Sequence, residues 1–425
     1  MKLFELKNDI KKLRTEIKIL GIKLKFRNSK LFQYPDYSFA LTKIRKKHRN
    51  NQKIRVGFLV SESSKWNAEE LYNLLEKSDA FEPVILLTLL ESVHQGIDNT
   101  RNKLNEYYDF FIEQGKCVVK VYDEKTREYL DLENFDVDIL FYQQPWELPE
   151  IHQPNYVSEY AITCYFPYGL DIFDLKLVNI DFHEYLHTYF IPNEEISLLR
   201  QKYRTADVHN EKIVGFPKLD IYRNLQREPE LDKKTIIYAP HFSYDKKNLL
   251  SIGTFDKFGT KILEFAKHHS EFNWIFKPHP ALKKTLIEDK NFGEGFSNEY
   301  FSEWEKVGCV FDSGNYFEHF MNSDLLITDA SSFLLEYLPT EQPIIRLVPK
   351  PERAKLNPFG SFLSSAWYKA DSFELFEKLF GEIFLLNDDF LSDTRKNITN
   401  CFFDLKSSSS EKIMNYLVNI LGKEK

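Results

Sequence analysis

Short apolar runs, each followed by room for one helix, recur along most of the chain, and this alternation restricts the possible folds more than any other feature. The first are residues 54–60, 84–89, 117–121 and 138–142, separated by helical stretches near 67–77 and 98–115. Runs without polar alternation are strands buried on both faces, and such strands alternate with helices in a parallel sheet covered on both sides. The series continues at 161–165 and 187–191 and ends with 212–217. A charged, turn-rich stretch from Arg223 to Lys234 resets it, and a second series follows: strands 235–239, 273–277, 325–328 and 343–347, helices near 257–269, 331–338 and 373–386. The pattern predicts two Rossmann-like α/β halves, 51–228 and 229–404, behind an arm of residues 1–50. A closing segment, 405–425, has Ile413, Tyr416, Leu417 and Ile420 at helical spacing for docking on one half.

In the arm, Leu3, Leu6, Ile10, Leu13, Ile17 and Leu20 are spaced by three and four, which predicts a basic amphipathic helix closed by Gly21. Such a helix packs on the body, pairs with a second copy, or lies on an anionic bilayer. Residues 1–55 hold 17 Lys and Arg against four acids, a net +13, while the remainder has 40 bases against 60 acids, a net −20. An acidic body makes nucleic acid an unsuitable partner. No stretch reaches the 18 or so uncharged apolar residues of a spanning helix, and Met1-Lys2-Leu3-Phe4-Glu5-Leu6-Lys7 is broken by charge, unlike a signal peptide. The expected location is the cytosol. Cys117, Cys164, Cys309 and Cys401 stand far apart, which fits reduced, buried thiols rather than a disulfide framework or zinc site.

Parallel α/β domains bind ligands at the carboxyl ends of their strands, and two motifs sit there. Strand 273–277 runs into Lys277-Pro278-His279-Pro280, where two prolines restrict the backbone around one imidazole; the alternative is a structural turn. Strand 325–328 runs into Asp329-Ala330-Ser331-Ser332, a polar helix start with amides and hydroxyls suited to an anion, or an ordinary N-cap. With 15 glycines and no Gly-rich fingerprint, NTPase and dehydrogenase readings are weak.

Taken in order, Lys277-Pro278-His279-Pro280, then Ser323-Asp324-Leu325-Leu326-Ile327-Thr328-Asp329-Ala330-Ser331-Ser332, then Gln342-Pro343-Ile344-Ile345 resemble the CDP-glycerol glycerophosphotransferase family of teichoic-acid and capsule synthesis. Gly215-Phe216-Pro217-Lys218-Leu219-Asp220 and Tyr238-Ala239-Pro240 resemble two further signatures, so the likeness covers about 210–350. It implies a GT-B fold with two domains facing a cleft, a CDP-polyol donor on the second, and transfer of a phosphopolyol to a glycan hydroxyl. It further implies that His279 stabilises the donor pyrophosphate and Lys277 adds charge. Ser331, Ser332 and Lys218 would contact the donor, Asp329 would orient the turn, and Glu336 would hold ribose hydroxyls. No metal or other cofactor is implied.

The sequence departs from the family in the first half, where Cys164-Tyr165-Phe166-Pro167-Tyr168-Gly169-Leu170 puts Tyr168 in the place of the usual histidine base. A tyrosine of ordinary pKa near 10 is a poor base but positions a hydroxyl. Candidate bases are His183, His187 and His241, the first two also four apart as metal ligands on a helix would be. Trp66 stacks on an acceptor sugar or packs as a plain core residue. Two other functions stay open: a GT-B glycosyltransferase using a nucleotide sugar, and a catalytically silent scaffold. With a lipid-linked acceptor, the basic arm gains a role in holding the enzyme at the inner face of an anionic membrane.

Overall fold

The computed structural model describes residues 4–9, 14–19, 22–27, 32–91, 100–169, 172–173, 180–203, 208–228, 233–245, 251–311, 315–352, 354–403 and 407–422. The chain forms two compact units, one of residues 1–168, 178–218 and 407–425, the other of 169–177 and 219–406.

The first unit is built on a parallel sheet of β4 (Ile54–Val60), β5 (Phe81–Leu87), β6 (Val118–Lys120), β9 (Ile139–Tyr142), β10 (Ile162–Tyr165), β11 (Thr188–Ile191) and β12 (Glu211–Ile213). Its order is β12-β11-β10-β9-β4-β5-β6. A small hairpin, β7 (Tyr122–Asp123) with β8 (Glu128–Tyr129), follows β6. The chain builds outward from β4 through β5 to β6, then returns to β9 on the other side of β4, so the topological switch lies between β4 and β9. Phe58, Ile85, Phe141 and Ile162 of the strands share one core with Leu71 and Leu75 of helix Glu69–Glu76. Helix Ser409–Gly422 docks on this unit through Ile413, Leu417 and Ile420, and Tyr416 exchanges a 2.8 Å hydrogen bond with Thr188.

The second unit repeats the plan with β13 (Thr235–Ala239), β14 (Asn273–Phe276), β15 (Cys309–Val310), β16 (Leu325–Thr328), β17 (Ile344–Leu347) and β18 (Tyr368–Ala370). Its order, β15-β14-β13-β16-β17-β18, puts the switch between β13 and β16. Segment 172–173 joins this unit because Phe173 bridges Leu356 and the Ile172 carbonyl accepts the Asn357 N–H at 3.0 Å. A side chain at Gly360 would strike that carbonyl at 2.1 Å, so only glycine fits.

Where the expected amphipathic helix falls on described residues it is replaced by an antiparallel sheet of β1 (Phe4–Asp9), β2 (Arg14–Ile19) and β3 (Ile22–Arg27), while Leu3, Ile10, Leu13, Leu20 and the closing Gly21 lie outside the described residues. The competing signal is period-two alternation, strict in Ile22-Lys23-Leu24-Lys25-Phe26-Arg27, which the helical spacing of the leucines obscured. In register, the backbone of Leu6 stands opposite Ile17 and that of Ile17 opposite Leu24. The basic cluster after it is also partly neutralised. Lys43 and Lys47 on helix Ser38–Arg49 reach Asp138 at 3.0 and 2.8 Å.

Candidate functional site

At the switch point of the second sheet, β13 continues into Pro240 and His241 and β16 into Asp329. The Thr328 hydroxyl ties the two strand ends, donating to the Ala239 carbonyl at 2.7 Å and accepting from the Ala330 N–H at 3.0 Å. Asp329, 2% exposed, accepts the His241 N–H at 2.6 Å, the Thr254 N–H at 2.6 Å and the Thr254 hydroxyl at 2.7 Å. Burial pushes its carboxyl up to about 6, against the lowering effect of these donors. Asp329 thus fastens the His241 and Thr254 segments to the end of β16. Gly253 presses that loop against the strand end, where any side chain would meet the His241 carbonyl at 2.8 Å and the Tyr244 nitrogen at 2.9 Å.

Beside it, the ladder from β14 runs on: Lys277 N–H donates to the Tyr238 carbonyl at 2.8 Å and His279 N–H to the Pro240 carbonyl at 3.0 Å. This brings His279 to His241, their rings edge to face at 4.8 Å. His279 Nδ1 accepts the Ala281 N–H at 3.1 Å, and His241 Nδ1 accepts the Ser243 N–H at 3.2 Å. These contacts assign the proton of each neutral ring to Nε2. Burial pushes His241 down to about 3, helped by His279, and His279 down to about 4, helped by the Lys277 charge. At neutral pH the pair is thus two uncharged Nε2–H donors. His241, a candidate base in the sequence, is corrected to a donor because its lone-pair nitrogen is already engaged.

Lys277 is buried with its ammonium 4.9 Å from the Tyr316 ring, 5.1 Å from Phe311 and 5.6 Å from Phe333. Ser331 and Ser332 open helix Ser331–Glu336 half-exposed. Glu336 is 0% exposed and accepts the Tyr316 hydroxyl, so its implied ribose contact is corrected to a structural one. Lys218 lies half-buried in the 3-10 segment Pro217–Arg223, at the end of the first unit.

In the first unit, Tyr168 lies three residues beyond β10, half-buried, with its ring 6.0 Å from that of Trp146. Trp66 takes the packed alternative: its N–H donates to Glu69 at 2.7 Å and its ring abuts Phe58 and Phe111 at 5.5 and 5.3 Å. His183 is corrected likewise, being buried and stacked on Tyr189 at 4.7 Å. His187 lies outside helix Ile180–Tyr185 with Nδ1 2.7 Å from the Thr188 hydroxyl, so the two do not share a helical face. Among the described residues no cluster of His, Cys, Asp or Glu has the makings of a metal site. Sequence reasoning passed over Gln143, Gln144 and Trp146, although two amides directly after a fully buried strand were a readable signal.

The model of the CDP-glycerol:poly(glycerophosphate) glycerophosphotransferase family matches residues 178–418, more than half of the chain. The chain belongs to this family. No curated protein sequence matches it. Among solved structures it is similar to the wall teichoic acid polymerase TagF, at 14% identity and TM-score 0.56 over 90% of this chain and 93% of that one. A putative UDP-N-acetylglucosamine 2-epimerase from Listeria monocytogenes is similar at 12% identity and TM-score 0.57, covering 88% and 98%. The UDP-GlcNAc 2-epimerase from Neisseria meningitidis bound to UDP-GlcNAc gives 12%, 0.53, 87% and 100%. At such identities the structures speak for the fold, and this glycerophosphotransferase-family member has the GT-B class of two parallel-sheet α/β domains. Members of the family are transferases, and this chain is an enzyme of that kind. No helix of the described residues is long and apolar enough to cross a membrane.

The same burial makes stability depend on pH. His152, His187 and His279 are each pushed down to about 4 and His241 to about 3, from an ordinary 6.5. Between pH 6.5 and 4 the unfolded chain binds protons that the folded chain refuses, so stability falls as pH falls. Asp329, raised to about 6, acts in the opposite direction. Four histidines outweigh one carboxyl, and thermal melts should show the Tm dropping from pH 6.5 to 4.5. A flat or rising Tm in that window would contradict the buried neutral rings.

Proposed function

We propose that the protein transfers a polyol phosphate, glycerol phosphate first among them, from a CDP-activated donor to a hydroxyl of a cell-surface glycan precursor. The observation that carries this reading is the pair of neutral Nε2–H donors, His279 and His241, at the switch point of the second sheet in a chain of this family. The acceptor oxygen bonds to the phosphorus bearing the glycerol, the P–O bond to CMP breaks, and the hydroxyl proton passes to solvent. Charge grows on the departing CMP phosphate, and donors fixed beforehand stabilise it without reorganising. His279 and His241 supply those donors, the half-exposed Ser331 and Ser332 hydroxyls add two more, and Lys277 contributes positive charge from behind the His279 turn. Tyr168 orients the acceptor hydroxyl. In this reading no cofactor beyond the donor is called upon.

The similarity to a wall teichoic acid polymerase supports a surface-polymer acceptor. A lipid-linked acceptor would place the enzyme at the inner membrane face, held by those basic residues of 1–55 outside the Lys43 and Lys47 ion pairs. Incubating the purified protein with CDP-glycerol and following CMP release, with and without an acceptor glycan, tests the central claim. Acceptor-stimulated CMP release is expected. Turnover of UDP-GlcNAc in place of CDP-glycerol and CDP-ribitol would overturn it in favour of a sugar transferase, and nucleotide binding without reaction would favour a silent scaffold.

A further inference from the structure

We propose that the carboxyl ends of β4, β9 and β10 carry a saccharide subsite in which the Trp146 indole is the stacking platform for a pyranose ring of the acceptor. This rests on the transferase reading only for the word acceptor; the platform itself follows from how three strand ends are sewn together. Trp146 is 41% exposed, unusual for a side chain that normally buries most of its area. Its presentation is built rather than accidental. Glu147 follows it in the left-handed region at φ 56, a conformation that costs a non-glycine residue free energy and persists only where neighbours enforce it.

The neighbours are identifiable. Gln144, 1% exposed, donates its amide to the Trp146 carbonyl at 3.1 Å and accepts the Lys65 ammonium at 3.1 Å. Lys65 also reaches Glu62 at 2.6 Å, and Gln143 clamps the Glu62 backbone, accepting its N–H at 3.2 Å and donating to its carbonyl at 2.7 Å. Asn67 donates to the Pro167 carbonyl at 3.0 Å, tying this loop to the one bearing Tyr168. The Tyr168 ring is inclined at 68° to Trp146, and the Lys65 ammonium lies 5.6 Å from the centre of the Tyr168 ring.

A flat, half-exposed indole with a phenol ring 6.0 Å away, and an ammonium over that phenol, matches a sugar ring, which offers an apolar C–H face and a rim of hydroxyls. An acyclic polyol phosphate has no such face. Lys65, the cation at the rim, is already neutralised by Glu62, which disfavours a phosphate as the occupant. The surface lies at the first sheet's own switch point, where open parallel sheets bind ligands.

The full chain is titrated with methyl β-glucopyranoside, methyl β-galactopyranoside and methyl N-acetyl-β-glucosaminide under saturation-transfer NMR, with glycerol 3-phosphate as the acyclic comparison. At least one pyranoside should receive saturation on its C–H face. Trp146→Ala should weaken it about tenfold, equivalent to about 1.4 kcal/mol, while Trp146→Phe retains most of the binding and CDP still raises the Tm of both variants. Absence of pyranoside binding by the unaltered protein, unchanged binding in Trp146→Ala, or an equal loss for glycerol 3-phosphate would overturn the proposal. CDP-glycerol turnover is followed in parallel. If pyranosides bind through Trp146 while CDP-glycerol neither binds nor reacts, the platform stands and the transferase reading fails.

Discussion

Replacing His279 by alanine is expected to lower kcat by about 100- to 1,000-fold, the usual cost of removing one fixed donor from a developing oxyanion. The protein should stay folded, because the ring is only half-buried and its turn is fastened by backbone bonds to Pro240 and from Leu282 that the substitution leaves in place. Since the neutral ring acts through Nε2–H, His279→Gln, whose amide also donates, should recover about tenfold of the loss. The pH profile is a second check on the same assignment. With His279 pushed down to about 4, kcat/KM should show no histidine titration near 6.5. Near-normal turnover in His279→Ala would remove it from the reaction, and a clear break at pH 6.5 would mean that an imidazolium does the work.

Asp329→Ala should have the larger effect on stability. It strands three buried donors, the N–H groups of His241 and Thr254 and the Thr254 hydroxyl. At about 1–3 kcal/mol for each unsatisfied group, a loss of about 3 kcal/mol or more is expected in urea denaturation. Asp329→Asn keeps one acceptor oxygen but turns an amide toward the remaining donors, so its loss should be smaller. Both variants should lose CDP binding as well, because the loop that presents His241 is released. Full stability in Asp329→Ala would show that water or another acceptor takes over and that the knot does not position the site.

Much of the architecture was legible because a parallel strand, buried on both faces, reads as an uninterrupted apolar run. Every strand expected from 54 onward is present, most within a residue of the expected bounds; the run 84–89 is strand over Phe81–Leu87 and the run 212–217 only over Glu211–Ile213. What escaped is instructive. β15 and β18 are edge strands of two and three residues, too short to form a run. The amino-terminal leucines offered two periods at once, and cross-strand pairing, invisible in a linear count, selected the sheet. The units divide after Lys218, and 172–173 crosses to the second unit through contacts with residues 356–360.

For the site, the chain by itself determined the chemistry on offer: an imidazole between prolines after one strand, an acid and two hydroxyls after another. Those are local facts, and neighbouring residues carry them. Only the tertiary structure decided who meets whom, since the strand order joins Asp329 to His241 and Thr254 across most of a hundred residues. It also decided protonation, because burial and the Nδ1 partners make both imidazoles neutral donors, while full burial removes Glu336 from the surface. Identity is written in covalent order, whereas pKa and exposure depend on solvent exclusion by distant parts of the chain.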